Sequence, residues 1–247
     1  MSSASAGGSA AFSSPARPSA VSSLLGVWAL FLAFLLLQVG NGLQRILLPM
    51  RAESEGFGAG SMGLVMGVHF AGYLLGAKGI PRALSSVGHI RVFAALASTA
   101  STAVLINAVL VLPASWAAVY FIGGVCNAGV FVILESWLND RATNETRGSI
   151  LGTYMMIMMG GTAIGQLLLN LGDPAGFELF VLSSVLISLA VVPVTLSAAT
   201  AAPIPSRETM PLRELYRTIP AAVVGIILCS FVQSASTSMA AVYGLSL

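Results

Sequence analysis

Residues 24–48 read LLGVWALFLAFLLLQVGNGLQRILL, a run of 25 residues whose one charge, Arg45, lies near its end. At ~1.5 Å of rise per residue, such a helix crosses ~30 Å of hydrocarbon with length left for tilt. Six more apolar runs follow, at about 61–79, 92–112, 115–138, 148–171, 176–198 and 219–247. The third and fourth are joined by Pro113–Ala114 and the fifth and sixth by residues 172–175, and such short connections force antiparallel neighbours.

The composition agrees. Among 247 residues there are 11 Lys and Arg against 9 Asp and Glu, so only 8% are charged, while 56% are hydrophobic and the mean hydropathy is +0.90. Soluble domains carry about 25% charged residues. A soluble enzyme, a nucleic-acid binder and a disordered scaffold are thereby excluded, and a net charge of +2 implies no polyanionic partner. The expected fold is all-α, a polytopic membrane helix bundle in the lipid bilayer. Four segments are expected: a flexible cytoplasmic tail (1–23), a six-helix lobe (24–198), a cytoplasmic linker (199–218) and the first helix of an incomplete second lobe (219–247). The tail is Ser, Ala, Gly and Pro almost throughout, without the basic start and short apolar core of a cleaved leader, so the first helix is expected to stay in the mature chain.

Lys and Arg set the orientation. Arg17, Lys78, Arg82, Arg91, Arg141, Arg147, Arg207, Arg213 and Arg217 fall on one side, and Arg51 alone on the other. This places the amino terminus in the cytoplasm and the chain in the inner or plasma membrane. Asn144-Glu145-Thr146 matches a glycosylation acceptor, but in a cytoplasmic loop it reads as a chance match. Cys126 and Cys229 both sit in apolar runs and read as small membrane-helix residues rather than disulfide or metal ligands.

Catalytic patterns are missing from the sequence. Lys78 is followed by Gly79, so no phosphate loop exists, and His69 and His89 stand apart with no HExxH pattern. Neither an enzyme nor a bound cofactor or metal is expected.

Polar residues inside the apolar runs mark the candidate site. Gln38, Asn41 and Arg45 follow i, i+3, i+7, and Gln44 lies beside them. That puts them on one broad helix face. A polar stripe against lipid is costly, so the face lines a watery substrate cavity or meets another helix. The alternative for Arg45 is an outward-snorkelling anchor. His69, near the middle of the second run, is either a proton-coupling group or a neutral imidazole bonded to a neighbouring helix. Glu135, at the cytoplasmic end of the fourth, faces a choice between a two-state latch with Arg82, Arg91 or Arg147 and a permanent bridge. Gly63-x3-Gly67 and Gly72-x3-Gly76 in the second run are matched by Gly148-x3-Gly152 and Gly161-x3-Gly165 in the fifth. These are the middle members of two successive triplets, the layout of a 3+3 inverted repeat.

Residues 135–148, ESWLNDRATNETRG, are similar to the fourth-to-fifth loop of the YcaD-like branch of bacterial major facilitator superfamily permeases. Gly88-His89-Ile90-Arg91 and Gly40-Asn41-Gly42-Leu43-Gln44 also resemble that branch, and the six helices with a basic loop after the second resemble its amino-terminal half. Where the superfamily carries roughly G-x-L-a-D-R-x-G-R-R, this chain aligned on Gly88 has Pro81, Ser85 and Ser86 at the first glycine, the acid and the following base. Glu135 stands as the substitute for the missing acid. The resemblance implies a secondary transporter that moves a small solute, with proton coupling as one option, by rocking two lobes about a midplane site. Since such permeases have twelve helices, the chain is expected to be truncated, its cavity completed by a missing carboxy-terminal lobe or a second copy. The alternative is a non-transporting half-permease acting as a membrane interaction or assembly partner.

Overall fold

The computed structural model describes residues 28–196, 212–230 and 232. The expected tail, most of the linker and the end of the seventh run lie outside these residues. Every regular element among them is helical. They are α1 (Trp28–Ser54), α2 (Ala59–Val87), α3 (His89–Val109), α4 (Pro113–Arg141), α5 (Arg147–Leu167, continued by a 3-10 turn to Leu171), α6 (Glu178–Leu189) and α7 (Val191–Leu196). Six spans are long and apolar enough to cross a membrane, α6 and α7 together forming the sixth. Residues 204–247 form a separate unit. It holds α8 (Leu212–Thr218), a helical turn inside the expected linker, and the apolar helix α9 (Pro220–Ser230).

Several helices outrun their apolar stretches. α1 continues six residues past Leu48 to Ser54, through Pro49, and α2 eight residues past Gly79 to Val87, through Pro81. Apolarity reports only the part of a helix in hydrocarbon, and membrane helices tolerate proline where neighbouring groups satisfy the freed backbone. The added turn of α1 is tied by Arg51 to Glu55, 2.8 Å apart, and by the Ser54 hydroxyl on the Arg51 carbonyl at 2.8 Å.

Within the bundle α1 lies against α5 and α6, α2 against α4, and α3 against α4 and α6. Exchanging α1 with α4, α2 with α5 and α3 with α6 maps this pattern onto itself. Equivalent helices are three crossings apart and so run in opposite directions, which is the expected inverted repeat.

Glycine makes both outer pairs possible. A Cβ at Gly72 would run into the Phe121 carbonyl and one at Gly124 into that of His69, closing α2 on α4; a Cβ at Gly165 would meet the Val39 carbonyl and one at Gly42 that of Thr162, closing α1 on α5. Gly63, Gly67, Gly148 and Gly152 have nothing within 4 Å, so the second glycine stripe of α2 and of α5 is open. At the centre, α3 and α6 meet through hydroxyls. Ser101 Oγ lies 2.7 Å from Ser184 Oγ and receives a hydrogen bond from Ser188 Oγ at 2.7 Å. Ser183 donates to the Gly40 carbonyl at 2.9 Å, joining α6 to α1. Each hydroxyl is thereby satisfied, and Ser101, Ser183 and Ser184 are buried.

Candidate functional site: a polar cluster between α1, α2 and α4

On α1, Gly42 and Gln38 face α5 while Gly40 faces α6. The side left over carries Asn41, Gln44 and Arg45, with Arg45 exposed in this chain. The longer helix changes the position of Arg45. It lies nine residues before the carboxy-terminal end of α1 (Trp28–Ser54), ~13 Å along the helix rather than one turn.

His69 lies at nearly the same level, ten residues or ~15 Å into α2 (Ala59–Val87). Its Nδ1 is 3.1 Å from the main-chain oxygen of Tyr120 on α4. A carbonyl only accepts, so Nδ1 carries the proton in this arrangement and Nε2 is left as the free nitrogen. The imidazole ring also packs on the Tyr120 ring, centroids 5.4 Å apart. The structure thus joins His69 to Tyr120, which sequence reading passed over as one aromatic among many, and sets Arg45 at nearly the same level on α1.

Of the two roles expected for the polar face, Gln38 takes contact with another helix. It is 5% exposed, and its Nε2 donates to the Met158 carbonyl of α5 at 3.5 Å. Its polar end is spent on helix pairing, not on the cavity. The expected latch differs. Glu135 accepts a hydrogen bond from the Tyr154 hydroxyl of α5 at 3.3 Å and forms no ion pair with Arg82, Arg91 or Arg147. Arg82 instead caps the Lys78 carbonyl, and Arg147 reaches the Asn139 side chain at 3.4 Å. α5 brings a hydroxyl to Glu135 before any cation arrives.

Tyr154 has a second contact. Its ring stacks on Phe34 of α1 at 4.8 Å, and Phe34 meets Phe131 of α4 edge-on at 5.8 Å. Phe34 lies eleven residues before Arg45, about three turns further toward the amino-terminal end of α1. His89 opens α3, stacked on Trp137 at 5.4 Å. Two open surface hollows run along Thr102 and Ile106 of α3, away from the cluster. Among the described residues no group of His, Cys, Asp or Glu is arranged to hold a metal ion.

Comparison with known proteins bears on this arrangement. Over 145 residues, 58% of the chain, it is 31% identical to an uncharacterized MFS-type transporter of Enterobacter sp. (strain 638) and 32% identical to the uncharacterized MFS-type transporter YcaD of Escherichia fergusonii. The YcaD protein of Escherichia coli O139:H28 is 31% identical over the same length. The chain is similar to YcaD-like MFS-type transporters. Each match covers 38% of the relative, so the chain spans about two fifths of the length of the curated relatives it matches. No family model matches it, and no solved structure does. With six membrane-length helices and YcaD-like relatives, it is a multi-pass membrane protein.

Proposed function

We propose that this chain forms one lobe of a secondary transporter that moves a small solute across the inner or plasma membrane by alternating access. The observation that carries the reading is the contact of His69 with Tyr120 across α2 and α4, at nearly the level at which α1 carries the exposed Arg45 on its unpaired side. Polar groups so placed are costly in lipid and serve a water-filled path. Asn41 and Gln44 complete the cavity wall, and the free nitrogen of His69 is the proton-coupling group. The open glycine stripes of α2 and α5 support a partner lobe, from the rest of a longer protein or a second copy. Glu135 and Tyr154 hold the inner side shut in this state, and the arginines of the inner loops take Glu135 when that side rearranges.

The test uses the full-length protein in proteoliposomes. Uptake or counterflow of a small solute is expected, and Arg45→Ala should abolish it while membrane abundance stays near wild type. Arg45→Lys should rescue poorly, because an ammonium does not reproduce the guanidinium fork. Transport unchanged in Arg45→Ala would reduce that residue to an anchor. Well-folded protein that moves no solute of any charge class would favour the interaction-partner reading.

A further inference from the structure

Resting on that transport reading, we propose that the cavity selects anionic solutes, a carboxylate or phosphate group docking on Arg45. Among the described residues Arg45 has no carboxylate partner. The acids of the bundle stand at its ends: Glu53 and Glu55 at the outer end of α1, Asp173 and Glu178 between α5 and α6, and Glu135, Asp140 and Glu145 at the inner side. Of these, Glu55 is taken by Arg51 at 2.8 Å. A guanidinium ~13 Å below the helix end and without a counter-charge is tolerated only where water, or a mobile anion, supplies what the protein withholds.

The surroundings sharpen the class. The Arg45 side chain presents a planar fork of donors, and Asn41 and Gln44 on the same side of α1 each carry an amide N–H pair. No carboxylate competes for them at this depth. Such a donor-rich wall around one cation matches a planar or tetrahedral oxyanion bound through two parallel N–H···O contacts, and it repels a cation. Water stays in the cavity when no solute is bound. The anion replaces part of that water and brings the missing charge with it.

Charge selection is measurable without knowing the solute. In full-length protein with Cys126→Ala and Cys229→Ser, and any further cysteine replaced, Asn41→Cys places a thiol one helical turn from Arg45. Two methanethiosulfonate probes of similar size are compared, one bearing a sulfonate and one a trimethylammonium. Their rate ratio cancels the reactivity of the thiol itself. The sulfonate is expected to react faster by roughly tenfold or more, and Arg45→Gln should bring the ratio close to one. Gln44→Cys is the second position should Asn41→Cys misfold. Reaction without charge preference would overturn the anion inference and leave the aqueous cavity intact. Absence of reaction with either probe at both positions would overturn the transport reading itself. A lipid phosphate is the other source of the same chemistry. Preference seen only after delipidation would show that a headgroup occupies Arg45, and would also overturn the inference of a soluble anion.

Discussion

His69 Nδ1 lies 3.1 Å from the Tyr120 main-chain oxygen, so one helix reads the backbone of another through an imidazole. The bond assigns the proton to Nδ1 and leaves Nε2 as the nitrogen that takes up or releases a proton. His69→Asn keeps a donor near the Nδ1 position and removes the titrating ring. It should melt within about 1 kcal/mol of wild type, the size of one neutral hydrogen bond, while the pH dependence of uptake flattens. An unchanged pH profile in proteoliposomes would move coupling to another group.

The glycine contacts separate two classes of substitution. Gly72→Ala, Gly124→Ala or Gly165→Ala drives a Cβ into a carbonyl of the facing helix, and each should lower stability by about 1–3 kcal/mol, the range for overpacking. Gly67→Ala and Gly152→Ala meet nothing within 4 Å and should leave the melting temperature of the bundle as it is. Thermal unfolding in detergent reads both. Equal losses in the two classes would mean that the open stripes are packed as well.

Tyr154 joins a stacking contact and a hydrogen bond on one side chain. Tyr154→Phe keeps the Phe34 stack and loses the 3.3 Å bond to an exposed Glu135, so the loss should be about 1 kcal/mol or less. Tyr154→Ala removes a buried ring and should cost about 3–5 kcal/mol. Released from Tyr154, Glu135 should let the inner side open more often. A reporter cysteine in the 142–146 loop would then label faster in Tyr154→Phe, and a labelling rate equal to wild type would separate this bond from gating.

Topology is checked most directly by cysteine labelling at chain positions 54, 85, 144 and 173. Positions 85 and 144 should react from the cytoplasm, and 54 and 173 from outside. Finding 54 and 144 on one side would contradict six crossings in this order.

Much of this architecture was legible in the sequence because lipid imposes a coarse rule: each crossing needs about twenty apolar residues. The count of spans, their order and the pairing of α2 with α5 as repeat equivalents follow from that rule and from the spacing of Gly72, Gly76, Gly161 and Gly165. Helix ends were hidden, because Pro49 and Pro81 lie where hydropathy has already fallen and a helix continues regardless. Arg45 and His69 stood out as charged or ionisable groups in apolar runs, whereas Tyr120 did not, since its role depends on a neighbour 51 residues away. Gln38 has the same period as Asn41 and Arg45, and only the approach of Gly161 shows that its amide is claimed by α5. Ser101, Ser184 and Ser188 are neutral in any hydropathy window, so their mutual bonding was invisible until α3 and α6 were side by side.

The pairing pattern of the bundle also governs how it is born. α1 makes its extended contacts with α5 and α6, and α2 with α4, so no helix of the first hairpin leans on its chain neighbour. Gln38 waits for a carbonyl 120 residues downstream. At about 5–20 residues per second, that is roughly 6–24 s of synthesis. During that interval α1, with Arg45 in it, sits in the membrane without its final partners. Whatever covers the α5- and α6-facing sides of α1 then must be surrendered when those helices arrive, making arrival of the second triplet the commitment point of assembly.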